Sequence, residues 1–323
     1  MFRKKTTHTS PIEMLINAPG LWNLSPEQRK DLTVSCRDTD YIKKVKDAGK
    51  IKKVKGRDVQ VMHDGTMVLA GGYHGDWMAD VISELRGHHE PQEEKVFFEV
   101  LKRVKSDSWM IELGSFWAYY SIWFSRFVNR SHNICCEPDP NNISLGEMNS
   151  ELNNVSLNFI QSAAGSKDGD KVDVTMDSDS TKTVNLSVRT VDSLVEEFQI
   201  DKLELVHIDV QGFEHDALKG CVNSIKNKKL RFVFISTHHY VFSNNPNTHE
   251  DCMKFVVNHG GNIISSHTIP ESFSGDGLIV ASFSDEDKDF KVSTSIAHTD
   301  KSLFRPYERD LRILIDYMNG RKK

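Results

Sequence analysis

Met110-Ile-Glu-Leu-Gly-Ser-Phe-Trp-Ala-Tyr-Tyr-Ser121 constrains the fold of this chain more than any other stretch. A short apolar run closing on Glu112-Leu-Gly114 reads as a buried strand that turns tightly into a helix. A second short strand, Asn133 to Cys136, then ends at Glu137-Pro-Asp-Pro140. In a nucleotide-binding α/β sheet, a carboxylate at that second strand end accepts hydrogen bonds from ribose hydroxyls. A pyrophosphate ligand needs the closely spaced G-x-G-x-x-G, which lets backbone approach it at a helix N-terminus. After Gly114 this chain offers Ser115, Phe116, Trp117 and Ala118, too bulky for that approach. One glycine beside an acidic residue suits a nucleoside ligand without phosphate, and S-adenosylmethionine (SAM) is that ligand.

The rest of the chain from Pro91 alternates regularly. Pro91 fits the first turn of a helix to about Lys105, with Gln92, Glu93 and Glu94 near its positive end. Strand 109–113, helix 117–129, strand 133–137, helix 140–152 and strand 156–162 follow. A polar insertion, 166–188, has the pattern of a hairpin. Helix 190–198, strand 204–209, helix 214–226, strand 231–237, helix 249–259 and strands 262–267 and 277–283 complete the series. Such alternation predicts a sheet, mostly parallel, with helices on both faces. The stretch from Ser302 to Asn319 reads as an amphipathic C-terminal helix.

Residues before about 85 do not fit that series. Val59 to Leu69 reads as a hairpin with Asp64-Gly65 in the turn. The dense basic segment Lys43 to Arg57 reads as a solvated surface in the first instance, and as a patch for an anionic acceptor in the second. The division expected is an N-terminal extension over 1–85 (a lid, acceptor or assembly lobe), a catalytic domain over 86–290, and a helical tail over 291–323. A formal net charge of -5 makes no global case for nucleic-acid binding. Cys36, Cys135, Cys136, Cys221 and Cys252 show no C-x-x-C spacing, so neither a disulfide framework nor a zinc knuckle is expected. The N-terminus, Met1-Phe-Arg-Lys-Lys, is basic without a following apolar core, and no long apolar span occurs, so a cytoplasmic location is expected.

In open α/β sheets ligands bind beyond the carboxyl ends of the strands. Glu112, Gly114, Ser115, Glu137, Ser162, Asp209 and the pair His238-His239 fall at such ends. Asp139 is the better cap for the helix at Pro140, which frees Glu137 for a ribose. Ser162 and Ala163 leave room for an adenine, and Tyr120 lies at the start of the helix over the cofactor. Asp209 emerges from an apolar strand, where it can orient the methionine part of SAM, hold an acceptor hydroxyl or bind a metal. An alcohol attacking a methyl group benefits from a general base, commonly histidine. His238 or His239 is the expected base, ahead of the earlier cluster His88, His89 and Glu90, which borders the same cleft as a substrate contact. Asp209, Glu214 and His238 form the oxygen and nitrogen set expected if Mg²⁺ is bound.

Four motifs in order resemble the FkbM-type SAM-dependent methyltransferases: Glu112 to Ser121, Glu137-Pro-Asp-Pro140, Thr190-Val-Asp-Ser-Leu194 and Ile208-Asp-Val-Gln-Gly-Phe-Glu214. The resemblance spans roughly residues 88 to 285. It implies a class I methyltransferase fold: a Rossmann-like α/β architecture with a mixed, mostly parallel sheet, here with an N-terminal α+β extension. It implies O-methylation, often of a sugar hydroxyl. Three positions depart from the family pattern: Glu112 replaces aspartate, Ala118 replaces the second glycine, and Gln211 replaces the middle acid before Glu214. Gln211 cannot act as an ionised ligand or base, and it and Glu214 are expected to face the acceptor. The expected acceptor is a sugar, a glycan (lipid- or phosphate-linked forms included) or a glycosylated small molecule; nucleic acid is disfavoured, and a homo-oligomer stays open. The alternatives are ribose methylation of RNA, resting on the basic 43–57 segment, and a non-catalytic SAM-binding scaffold, resting on Gln211 and Ala118.

Overall fold

The computed structural model describes residues 10–297 and 301–320; the basic Met1–Lys5 segment and the chain's last three residues lie outside the described residues. Three antiparallel strands come first: β1 (Ile51–Val54), β2 (Arg57–Val61) and β3 (Met67–Leu69). Asp64-Gly65 lies in the β2–β3 connection, where the Asp64 carboxylate accepts the Thr66 N–H. β1 is cut from the basic segment, and three of its four residues are exposed. Three helices lie in this region: Pro11–Asn17, Pro26–Ser35 and Gly75–Glu84, the last with Met78, Ala79, Val81 and Ile82 buried on one side. The first two begin with Ser-Pro and close a capping box on the serine, so local chemistry fixes their starts.

The remaining strands are β4 (Trp109–Leu113), β5 (His132–Glu137), β6 (Asn158–Gln161), β7 (Ala163–Ala164), β8 (Lys171–Met176), β9 (Asp179–Arg189), β10 (Leu203–Ile208), β11 (Leu230–Thr237), β12 (Asn262–His267) and β13 (Gly277–Ser282). Seven of them form one sheet in the order β12-β13-β11-β10-β4-β5-β6. Only β13 runs antiparallel to its neighbours. This is the mixed, mostly parallel, Rossmann-like sheet that the sequence resemblance implies. The insertion after β6 forms the expected hairpin, β8 against β9, in a small sheet of order β7-β9-β8.

Side chains alternate across the pleat, so each central strand serves two cores. Met110, Leu205, Phe232 and Phe234 join Phe97 and Trp123 on one face. Ile111, Leu113, Val206, Val233 and Ile235 join Leu194 and Ala217 on the other. Burial on both faces explains why β10 and β11 read as near-continuous apolar runs.

Two helices end or break differently from the sequence expectation. The helix expected over 214–226 is split into Glu214–Lys219 and Val222–Lys226. The Asp192 carboxylate accepts the N–H groups of Asn223 and Ser224, which creates a new helix start. The C-terminal helix begins at Tyr307, behind Pro306. Before it, the buried Arg305 pairs with Asp310 and donates to the carbonyls of Leu15 and Ala18, tying the two ends of the chain together. Among the described residues no helix is long and apolar enough to cross a membrane.

Candidate active site

The chain leaves β4 toward β5 and β6 on one side and returns to β10 and β11 on the other. Ligands of open α/β sheets bind where strand order reverses in this way. Here a cavity of about 850 Å³ opens at the carboxyl ends of β4, β5 and β10, with Ser162 and Ala163 beyond β6 on its wall.

The loop after β4 is shaped by backbone geometry. The N–H groups of Gly114 and Ser115 both donate to the Cys136 carbonyl, at 2.8 and 3.1 Å. Gly114, Phe116 and Ala118 all have left-handed φ angles, +78°, +41° and +60°. Ala118 therefore occupies a conformation that favours glycine, which accounts for the family's usual residue there. Two buried carboxylates brace the loop. Glu112 accepts the Ser121 N–H at 3.1 Å; Glu137 accepts the N–H groups of Phe116 (2.9 Å) and Asp139 (3.0 Å) and the Asn142 amide (3.2 Å). Burial pushes both up to about 7. Asp139 caps the helix Pro140–Asn153 by accepting the Asn141 N–H.

Three buried polar atoms on the cavity wall have no hydrogen-bond partner: Ser115 Oγ, Ser162 Oγ and His207 Nδ1. Buried polar groups are nearly always paired, so these mark places where a polar ligand belongs.

Asp209, at the end of β10, faces the cavity from the opposite side, with its side chain 31% exposed. His238 stands behind it, buried, with Nε2 3.3 Å from Asp209 and 3.7 Å from Asp276. Nδ1–H of His238 donates to Glu214 at 2.7 Å, and the second use of Glu214 is to accept the Gly212 N–H. Burial works against a charge on His238, but Asp276, Glu214 and Asp209 raise its pKa well above the ordinary value. Burial, with Asp276 and Glu90, lifts Asp209 to about 8 against the pull of His238. Gln211 lines the cavity and its amide reaches Asp209 at 3.5 Å, so the departure from the family acid supplies a donor instead of another negative charge.

The expected site residues divide. Glu112, Gly114, Ser115, Tyr120, Glu137, Ser162, Ala163, Asp209, Gln211, His89 and Glu90 all line the cavity; His88, Glu214, His238 and His239 do not. His88 turns inward and pairs with Glu94. His239 stacks on Phe304 at 3.8 Å and accepts the Val241 N–H; burial and Arg305 hold its pKa down at about 3. The expected metal donors Asp209, Glu214 and His238 are engaged with one another. Among the described residues, the group of three potential ligands with donor atoms within 4.8 Å is instead His63, His88 and Glu94.

Several lining residues had no signal in the sequence. Gly72, Tyr73 and His74 come from the N-terminal segment, and Phe213 and Phe242 flank the Asp209 side. Tyr73 stacks on Trp117 at 4.5 Å, making a broad aromatic wall. Asp177, at the turn between β8 and β9, enters from the hairpin and receives the Asn142 amide at 3.4 Å.

The profile of the methyltransferase FkbM domain matches residues 100–263, half of the chain, from just before β4 into β12. The chain belongs to the FkbM methyltransferase family. As a family member it is a SAM-dependent methyltransferase. No curated protein sequence matches it. Among solved structures it is similar to precorrin-6y C5,15-methyltransferase from Geobacter metallireducens, at 15% identity over 58% of this chain and 87% of that one, with a TM-score of 0.35. It is also similar to M. capricolum TrmK in complex with S-adenosylhomocysteine, at 14% identity over 61% and 74% of the two chains, TM-score 0.36. A third is a putative rRNA methylase from Clostridium thermocellum, at 6% identity over 59% and 94%, TM-score 0.43.

In this FkbM methyltransferase, Glu137→Ala leaves the Phe116 and Asp139 N–H groups without their acceptor beside the loop after β4. An unsatisfied buried donor costs about 1–3 kcal/mol. Affinity for S-adenosylhomocysteine is expected to fall by about tenfold or more, read by calorimetry.

Proposed function

We propose that this FkbM methyltransferase carries a methyl group from SAM to a hydroxyl of a sugar, glycan or glycosylated small molecule, with Asp209 accepting the hydroxyl proton. The observation that carries this reading is the single carboxylate facing the cavity at the end of β10, backed by His238 and Glu214. Bound SAM supplies an electrophilic methyl group; the protein's part is alignment and deprotonation.

Glu137, Ser115, Ser162 and Ala163 would hold the nucleoside, and Asp177 the far edge of its ribose. Asp209 would meet the acceptor. His238, kept protonated by the acids around it, is a positioning residue: its charge steadies the Asp209 carboxylate and Glu214 fixes its ring. His239 sits outside the cavity and has no part in the chemistry. The aromatic wall of Tyr73 and Trp117, with Phe213 and Phe242 about half exposed beside Asp209, suits the apolar faces of a sugar, while Asp209, Glu90 and Gln211 suit its hydroxyls. In this reading residues 1–85 form an acceptor lobe through Gly72 to His74, 86–290 form the catalytic domain and 291–323 the tail. None of Lys43 to Arg57 lines the cavity, so the basic segment gives no support to ribose methylation of RNA. All five cysteines are buried and free, in keeping with a cytoplasmic setting.

A base must be unprotonated to act, and Asp209 is held near 8. kcat/KM is therefore expected to rise with pH through about 8 and level off above it, the limb vanishing in Asp209→Asn; a limb near the ordinary carboxylate range of about 4 contradicts the assignment.

The test of the reaction is transfer of labelled methyl from SAM to a panel of free, nucleotide-linked and lipid-linked sugars, with RNA as the counter-panel. Methyl ethers on carbohydrate oxygens are expected. Equal rates with Mg²⁺ and with a chelator are expected too, because the candidate donors Asp209 and Glu214 are already paired with His238. Label found in RNA, or on nitrogen or carbon, contradicts the reading.

A further inference from the structure

Asp276 has no part of its own in the scheme above, although its carboxylate stands beside the proposed base. It closes the loop 272–276 in front of β13 and lies 3.7 Å from Nε2 of His238, the nitrogen that Asp209 meets at 3.3 Å. The two carboxylates thus flank one nitrogen. Each side chain is 31% exposed, while that of His238 is 2% exposed. The cavity wall ends at Asp209. A ligand held there would meet Asp276 as the next carboxylate.

The loop that presents Asp276 is braced from two other parts of the chain. From helix Pro26–Ser35, Arg29 donates to the Ser274 carbonyl at 3.1 Å and Thr33 to the Phe273 carbonyl at 2.8 Å. The Gln92 side-chain oxygen accepts the Phe273 N–H at 2.8 Å. Within the loop, Ser272 Oγ accepts the N–H groups of Ser274 and Gly275. Such bracing holds a side chain's point of attachment in place, as a binding group requires.

The carboxylate itself is left open. Among the described residues only His238 reaches Asp276, and only His238 and Gln211 reach Asp209. Glu137, across the cavity, receives three fixed donors. The other cations nearby are committed: His89 faces Glu90 and Glu94, and Arg29 lies over the Trp77 ring besides its bond to Ser274. With Glu214 also on His238, three carboxylates share one imidazole. A carboxylate is an acceptor with several free lone pairs, and its hydrogen bonds are among the strong ones. Two open carboxylates side by side call for a ligand with two adjacent donors. In a sugar, adjacent donors are vicinal hydroxyls.

We infer that Asp276 binds the hydroxyl next to the one that is methylated, so that the acceptor is a vicinal diol. The inference rests on the proposed sugar acceptor and on Asp209 as its base. In the transfer, the attacking oxygen bonds the methyl carbon as the carbon–sulfur bond breaks, and its proton passes to Asp209. The neighbouring hydroxyl keeps its proton and donates a hydrogen bond to Asp276. That bond fixes the sugar's rotation about the reacting oxygen and so selects which hydroxyl reacts.

The experiment gives the full chain labelled SAM with the methyl α-glycosides of glucose, mannose and galactose, and with their monodeoxy forms. The methylated position is read from the product. Removing one of the hydroxyls next to that position is expected to lower kcat/KM by about tenfold or more in the parent. In Asp276→Ala the ratio of diol to deoxy acceptor is expected to shrink to within about twofold of unity, whatever the change in absolute rate. Asp276→Asn, which keeps hydrogen-bonding reach without the charge, is expected to give an intermediate ratio. Near-parental binding of S-adenosylhomocysteine shows that each variant is folded; if Asp276→Ala fails that check, Asp276→Asn decides. Equal rates for diols and deoxy forms in the parent overturn the inference. So does an undiminished ratio in the variant, the residue then acting only through His238. No label in any of the glycosides is a different result, which removes the sugar acceptor on which the inference rests.

Discussion

Asp209→Asn is expected to lower kcat by about 10²–10⁴-fold, the range that a positioned general base supplies. Asparagine keeps the size and the hydrogen-bonding reach of the side chain, so the nearby Gln211 and His238 need not move. What it lacks is the ability to take a proton. The affinity for S-adenosylhomocysteine is expected to stay within about threefold, because the nucleoside contacts lie on the β5 and β6 side. Single-turnover kinetics alongside calorimetry separate the two effects. A variant that keeps its rate contradicts the role of Asp209, and one that loses cofactor affinity along with its rate shows that Asp209 serves binding instead. His238→Gln makes a useful companion. It removes the imidazolium charge that holds the Asp209 pKa down while leaving Asp209 in place, so it is expected to move the rising limb of the pH profile to higher pH as well as slow the reaction.

Gly114→Ala is expected to be the most damaging small change in the chain. Gly114 has φ +78°, and a Cβ added there would overlap the backbone carbonyl oxygen of Asp209. That carbonyl belongs to backbone at the end of β10, which the Asp209 N–H ties to the Leu113 carbonyl at 2.9 Å. Neither side can yield by rotating a flexible side chain. The strand ends must separate, which breaks the β4–β10 junction on which both halves of the cavity depend. The left-handed backbone adds about 1–2 kcal/mol for a residue with a Cβ. With the overlap, a loss of about 4 kcal/mol or more is expected, and with it a fall in Tm of roughly 10 °C. Thermal unfolding of the variant checks this, and a Tm within a degree or two of the parent contradicts the packing described.

The strand ends that carry Glu112, Glu137, Ser162 and Asp209 were legible because each follows a short apolar run closed by a turn signal. The runs of β4, β5 and β10 are buried on both faces, so their pattern reports the sheet directly; β6, at the sheet edge, is only partly buried. The hairpin of the insertion was legible as an element, but not that Asp177 at its turn reaches the cavity: nothing in a polar segment says which way its tip folds. Tyr73 and His74 were invisible for a related reason. They sit in a glycine-rich loop whose position depends on long-range packing of the N-terminal segment against helix Pro140–Asn153, where Asn149 and Asn153 receive the Leu69 and Met67 N–H groups. His88 and His89 show the limit most simply. Adjacent residues outside a regular element have no periodicity to assign their faces; here both meet Glu94, and only His89 also lines the cavity. His238 and His239 also part at the end of β11, one toward Asp209 and Glu214, the other onto Phe304, and neither lines the cavity. Glu214 at a helix start could be read as a partner of the helix dipole or a substrate contact, and its actual partners, the Gly212 N–H and His238, lie across a chain reversal that periodicity does not encode.

The most direct test of the account is a calorimetric titration of the parent chain, Glu137→Ala and Asp209→Asn with S-adenosylhomocysteine. The division of one cavity into a nucleoside side at β5–β6 and a reacting side at β10 predicts binding to the parent, at least about tenfold weaker binding to Glu137→Ala, and near-parental binding to Asp209→Asn. No binding to the parent, or equal losses in the two variants, would contradict that division.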